Sequence, residues 1–214
     1  MNHFAQSSSL RAAVAALVLA LSSGMASADT TLAVSIDTSN FGQASGWLDL
    51  QFNGAGDGAS PAATVTLTNF SGFDALAAIE TAGQVSGSLA AGYVIGNGDS
   101  FNDLFHAVGY GSVLSFNVTF SGDADLSGDI GQSVFSVSAF GADKTTLLGG
   151  SSSPDGSLAS VTWTPATTAG GFGTTDVATF SNVATVSAVP EPSSWLMLGI
   201  GGMLLAGVAR TRRA

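Results

Sequence analysis

The chain has no cysteine among its 214 residues. Disulfides, thiolate nucleophiles and zinc–thiolate sites are therefore excluded. Basic residues are almost as scarce. Lys and Arg together number 5 against 15 Asp and Glu, and four of the five (Arg11, Arg210, Arg212 and Arg213) stand at the two ends. Residues 29–188 hold every acid except Glu191 and a single base, Lys144, which leaves fourteen acids against one base and a net charge of −13. Such a field repels phosphate and excludes nucleic-acid binding through a basic face. It also disfavours anionic membranes as partners of this segment. Only one of the 2 His, His106, lies there, so a two-His metal site within one chain is excluded. A Ser-His-Asp site would have to use His106, and no Gly-x-Ser-x-Gly turn is present to raise a serine. Placed between Phe105 and Ala107, His106 is expected to be partly buried and structural. No Walker loop exists, and the glycine-rich Gly54–Gly58 opens no helix, so no phosphate cradle is expected.

What remains is a chain with 9% charged and 45% hydrophobic residues, too apolar for charge-driven disorder. Both ends carry uncharged runs. Ala12–Leu21 is an unbroken apolar stretch followed by Ser22, Ser23, Gly24 and then Ala26-Ser27-Ala28. As a helix it reaches about 15 Å, half of a bilayer core. The layout is that of a secretory signal, with Ala26 and Ala28 at the cleavage-pocket positions and cleavage expected after Ala28 by signal peptidase.

At the other end, Val189-Pro190-Glu191-Pro192-Ser193-Ser194 precedes Trp195–Val208, which carries no charge, and then Ala209-Arg210-Thr211-Arg212-Arg213-Ala214. A helix over 193–209 is about 26 Å long, the short limit for a span. Trp195 stands where an interfacial aromatic would, and Arg210, Arg212 and Arg213 form a cytoplasmic stop, placing the preceding segment on the opposite side. Pro190 and Pro192 keep the chain extended around Glu191. This succession of Val-Pro-Glu-Pro, short apolar span and arginine cluster resembles the PEP-CTERM sorting signal. The resemblance implies recognition of Pro190, Glu191 and Pro192 by an exosortase, an integral-membrane cysteine transpeptidase-like enzyme of Gram-negative bacteria that make exopolysaccharide. It further implies transient anchoring in the inner membrane with the body in the periplasm, removal of the tail, and delivery to the cell surface or extracellular matrix. As with a GPI signal, the mature protein then needs no span.

Between these ends the sequence reads as β. Thr31–Asp37, Leu48–Phe52, Thr64–Thr68, Val113–Phe120, Ser133–Ala139 and Leu158–Thr164 alternate apolar and polar residues, and Val177–Val189 adds one or two further runs. Period two with one apolar face predicts antiparallel sheet. Short strands separated by loops rich in Gly, Asn, Asp and Ser predict a β-sandwich or jelly-roll-like body in an all-β chain. Two stretches depart from this. Phe101, Leu104, Phe105 and Val108, with Ser100 as cap, have helical spacing, although tertiary pairing could equally draw them into a strand. Asp74–Thr81 reads as a helical turn or two. No internal repeat is apparent. The expected organisation is a signal-peptide helix in 1–28, a β body over 29–180, a polar linker over 181–188 and a sorting signal over 189–214 containing a transmembrane helix over 193–209. Segments such as Gly46–Asn53, Ala62–Gly72 and Gly111–Gly122 resemble uncharacterised β-rich bodies attached to this kind of tail, a resemblance that brings no activity with it.

Two candidate ligand features stand out in the body. Asp123, Asp125, Ser127 and Asp129 place oxygens at alternate positions like the start of a calcium loop. The twelfth position is Val134 instead of Glu and no helix flanks it, so a polar hairpin turn is the competing reading and no cofactor is assigned. Trp47 falls on the face opposite Leu48 and Leu50, beside Asp49. It is either a sugar-stacking platform or a strand-end aromatic tucked under a loop. The functional expectation is an exported, non-enzymatic surface or matrix protein, structural, adhesive or exopolysaccharide-binding. The alternative is a secreted carbohydrate-active hydrolase using paired aspartates.

Overall fold

A computed structural model describes residues 30–55, 60–127 and 130–189. Among these residues there are twelve strands and no helix. In chain order they are β1 (Thr30–Asp37), β2 (Ser45–Ala55), β3 (Ala63–Ser71), β4 (Ile79–Ala82), β5 (Val85–Ser88), β6 (Gly92–Gly96), β7 (Asp103–Gly109), β8 (Val113–Gly122), β9 (Gln132–Gly141), β10 (Ala159–Thr164), β11 (Thr174–Thr179) and β12 (Ala184–Ala188). They form two six-stranded sheets, one in the order β12-β1-β8-β3-β6-β5 and the other β11-β10-β9-β2-β7-β4. Every pairing is antiparallel.

The alternation in the sequence is what makes two layers of these strands. Leu32, Val34 and Ile36 of β1, Leu48, Leu50 and Phe52 of β2, and Leu114, Phe116, Val118 and Phe120 of β8 are all buried. Their neighbours Ser35, Gln51, Ser115, Asn117 and Thr119 are not. The buried sides of the two sheets face one another. Phe52 of the second sheet meets Phe120 of the first edge to face at 6.2 Å, and Phe135 of the second meets both Phe116 (6.4 Å) and Phe120 (6.3 Å). Each such side chain removed from water contributes about 1.5–3 kcal/mol, so apolar burial between the layers is the main stabilising term. Trp163, on the same face of β10 as Val161, is 3% exposed. It fits because Gly122 and Gly173 lie against its indole, where a Cβ on either would collide with the ring.

The outer face of the first sheet is almost free of charge. Its register sets Thr31 opposite Thr119 and Thr119 opposite Thr66, with the Thr31 and Thr119 hydroxyls 2.9 Å apart. Apart from Asp37 at the end of β1, the acids among the described residues are carried by the second sheet and by the loops.

Of the two readings left open for Phe101–Val108, helix or strand, the strand is found, as β7 from Asp103. The same residues also satisfy period two once His106 is counted as an inward residue, since Leu104, His106 and Val108 are all buried. Pairing with β2 and β4 on its two sides supplies the backbone partners that a helix would have found internally. Entry into β7 is fixed by Asn102 and not by a Ser100 cap. Asn102 is fully buried, and its amide donates to the carbonyl of Phe52 (3.3 Å), Asn53 Oδ1 (3.2 Å) and the carbonyl of Asp99 (3.0 Å). Its Oδ1 accepts from the Gln84 backbone N–H at 2.8 Å. The expected helical turns over Asp74–Thr81 are a single turn capped by Asp74, which accepts from the Leu76 N–H at 2.9 Å, followed by β4. Residues 181–188, read as a polar linker, contain β12, which pairs with β1. The last described residue, Val189, donates to the Thr31 carbonyl at 3.0 Å. The expected signal and transmembrane helices lie outside the described residues, and among the described residues no helix is long and apolar enough to cross a membrane.

Candidate functional site on the outer face of the second sheet

Odd-numbered residues of β2 point away from the core, and with them comes Trp47. The register places Trp47 opposite Ala107 of β7 on one side and Phe140 of β9 on the other, and Asp49 opposite Phe105 and Ser138. Glu80 of β4 stands opposite Phe105 in turn. The pleat thus assembles three aromatic rings and three carboxylates (Asp49, Asp103 and Glu80) on one outer face. Trp47 stacks on Phe105 with ring centroids 5.2 Å apart and planes 10° from parallel. Phe105 in turn meets Phe140 at 5.5 Å.

The only base among the described residues closes over this cluster. The loop after β9 is tightened by Asp143, which accepts from the Thr145 and Thr146 N–H groups (3.0 and 2.9 Å) and the Thr146 hydroxyl (2.6 Å). Those bonds hold its carboxyl far below the usual range. The turn puts Lys144 in the left-handed region at φ 61°. Its ammonium lies 4.1 Å from the centroid of the Trp47 ring and 2.5 Å from Glu80 Oε1. Trp47 is therefore a partly exposed aromatic on the outer face with a loop residue over it.

From beneath, Tyr110 fixes the same strand. Its hydroxyl is shared between the carbonyls of Trp47 (2.9 Å) and Phe140 (2.8 Å). Burial pushes its pKa up to about 12, so it remains a donor. Gly46 makes this possible, because a Cβ there would run into the Phe140 carbonyl and the Tyr110 ring. Trp47 also lines an open groove of about 270 Å³ together with Ala77, Ala107, Val108 and Ala142, with Ser45 and Asp74 as polar lining.

Asp49 lies on this outer face yet is only 7% exposed. Gln51 Nε2 donates to its Oδ2 at 2.5 Å, while Oδ1 is buried without a partner. Burial raises its pKa to about 6 against the Gln51 bond, and the nearby Asp103 carboxylate adds to the rise. Asp103 is itself pushed upward, chiefly by burial.

The remaining candidates are dispersed. His106 is 1% exposed on the inner side of β7, with Nδ1 2.7 Å from the Ala107 carbonyl and its ring edge-on to Phe73 at 5.3 Å. Burial lowers its pKa, so it stays a neutral core residue. In the loop after β8, Asp125 Oδ1 accepts from the Ser127 N–H (2.9 Å) and hydroxyl (2.5 Å), and Oδ2 from the Gly131 N–H (3.0 Å). Both oxygens thus hold the loop's own backbone, as a polar turn requires. Asp123 is exposed, and Asp129 lies outside the described residues. Among the described residues no three His, Asp or Glu gather to hold a metal ion. Ala26, Ala28, Pro190, Glu191, Pro192, Arg210, Arg212 and Arg213 also lie outside them.

No curated protein and no solved structure matches this chain. A family does match at its carboxyl end, over residues 188–213, and supports an exported protein sorted by an exosortase to a surface or extracellular location. The chain carries a PEP-CTERM protein-sorting motif behind a β-rich body.

Proposed function

We propose that this protein is a non-catalytic component of the cell surface or extracellular matrix, held in the inner membrane by its tail until an exosortase removes it, and that its body binds exopolysaccharide there. The observation that carries the reading is the sorting motif at residues 188–213. It supplies the destination, and the body supplies a surface suited to it. The strand order β1-β8-β3-β6 in one sheet against β2-β7-β4 in the other follows the interleaving of a jelly roll, an architecture that lectins use. The fourteen acids against one base in residues 29–188 keep such a body soluble outside the cell. The Trp47–Phe105–Phe140 cluster offers apolar area with polar groups around it, the composition of a saccharide surface. No specific observation favours a hydrolase with paired aspartates.

The test has two arms. Replacing Pro190, Glu191 and Pro192 with alanine in a strain with an exosortase should leave the protein membrane-bound at full length. The processed wild-type protein should co-sediment with the strain's exopolysaccharide. Unchanged processing in the variant would overturn the sorting reading, and a processed protein that stays in the supernatant would overturn the binding one.

A further inference from the structure

The groove beside Trp47 is large enough for one sugar ring, and among the grooves of this size in the described residues it is the one with an aromatic wall. Its size, about 270 Å³, falls just under the roughly 300–1,000 Å³ of small-molecule pockets. That leaves room for a monosaccharide unit of a chain passing over an open surface. Its apolar lining is small apart from Trp47, being Ala77, Ala107, Val108 and Ala142, so Trp47 is the one aromatic wall. That indole is fixed before any ligand arrives. Phe105 stacks on it, Tyr110 bonds its backbone carbonyl, and Lys144 lies over it while paired to Glu80. A preorganised aromatic wall spares the ordering cost that a free side chain would incur on binding.

Charge then selects among sugars. Asp74 lines the groove and Asp49, Asp103 and Glu80 stand on the same face. Lys144 is the only base among the described residues and is already engaged with Glu80. A uronate or sulfated ring would bring a charge with nothing to neutralise it into a negative field. An uncharged ring brings hydroxyls that can donate to Asp74 and Ser45, and apolar C–H groups for the part of Trp47 that lines the groove. We propose that this groove binds one uncharged pyranose unit of a polysaccharide, with Trp47 as its apolar wall. The proposal deepens the polysaccharide-binding reading and rests on it.

The test is titration calorimetry on the full chain, solubilised in a detergent without sugar headgroups. The ligands are uncharged hexasaccharides of glucose, galactose and mannose, with hexagalacturonate as the charged comparison. At least one uncharged hexasaccharide should bind saturably, at least tenfold more tightly than hexagalacturonate. Trp47→Ala should weaken that binding at least tenfold. Ala107→Leu, which fills the floor on the outer face without touching the core, should do the same and serves alone should Trp47→Ala fail to fold. Binding that neither variant changes, or equal binding of the uronate, would overturn the groove assignment while leaving polysaccharide binding standing. No binding of any uncharged hexasaccharide would overturn the assignment too. Co-sedimentation with the native exopolysaccharide would then decide the broader reading separately.

Discussion

Gln51 donates to one oxygen of Asp49 at 2.5 Å, and the other oxygen of that carboxylate is buried with no partner. The Asp49 pKa accordingly rises from 3.8 to about 6, with burial as the larger cause and Asp103 adding to it. A carboxyl whose folded pKa lies above its unfolded one favours the folded state fully below the unfolded value, and that stabilisation is lost as pH rises through the folded value. Asp49 should therefore cost the protein about 2–3 kcal/mol between pH 4 and pH 7. Asp125 and Asp143, held low by hydrogen bonds, act in the opposite sense and lose their contribution as pH falls below the ordinary carboxylate range. Asp49→Asn isolates the first effect. Urea midpoints across this range should show the variant more stable than wild type at pH 7.5, with the gap closing by pH 4. Parallel profiles would contradict the assignment.

Tyr110 joins β2 to β9 through the carbonyls of Trp47 and Phe140. Tyr110→Phe keeps the ring and removes only the hydroxyl, so it should cost about 1–2 kcal/mol. Gly46→Ala should cost more, because its Cβ meets the Phe140 backbone and the Tyr110 ring, and backbone yields less readily than a side-chain end. Thermal melts should rank them wild type, Tyr110→Phe, Gly46→Ala in falling order. A Gly46→Ala variant as stable as wild type would show that the strands tolerate a wider spacing than the packing allows.

Asn102 is fully buried and its side chain bonds to Phe52, Asn53, Gln84 and Asp99. Its replacement by alanine removes the partner of the Gln84 N–H and of the Phe52 and Asp99 carbonyls at once and leaves a hole at a fully buried position. The expected loss is about 2–4 kcal/mol. Asn102→Asp keeps the acceptor for Gln84 but turns the donor side into a repelling oxygen, so it should not rescue. A loss under about 0.5 kcal/mol for either variant, measured by urea denaturation, would remove Asn102 from this role.

How much of this was legible depended on whether a strand's signal was carried by its own residues. β1 and β8 alternate cleanly because one face is buried and the other more open, β2 does so except at the buried Asp49, and their apolar faces read directly from the sequence. β7 did not, because its middle inward position is His106 and its outward Phe105 is as apolar as its inward neighbours. β4 and β5 left almost no trace, since they are four-residue strands with mostly exposed side chains. For such strands the hydrogen bonds of a partner strand, and not their own apolar pattern, set the structure. The site behaves in the same way. Trp47 on the polar face of β2 follows from alternation alone. Phe105, Phe140, Tyr110 and Lys144 reach it only through strand pairing and a left-handed turn. The burial of Asp49 on an outer face had no local sign, because the rings beside it come from other strands.

The sorting motif matched at residues 188–213 underlies the whole functional account, and one measurement bears on it most directly. Intact-mass and carboxyl-terminal peptide analysis of the protein recovered from the outside of producing cells should find a product that begins at Asp29 and ends upstream of Arg210. Recovery of the surface or shed protein with Arg210, Arg212 and Arg213 still attached would contradict removal of the tail, and with it the surface-delivery account.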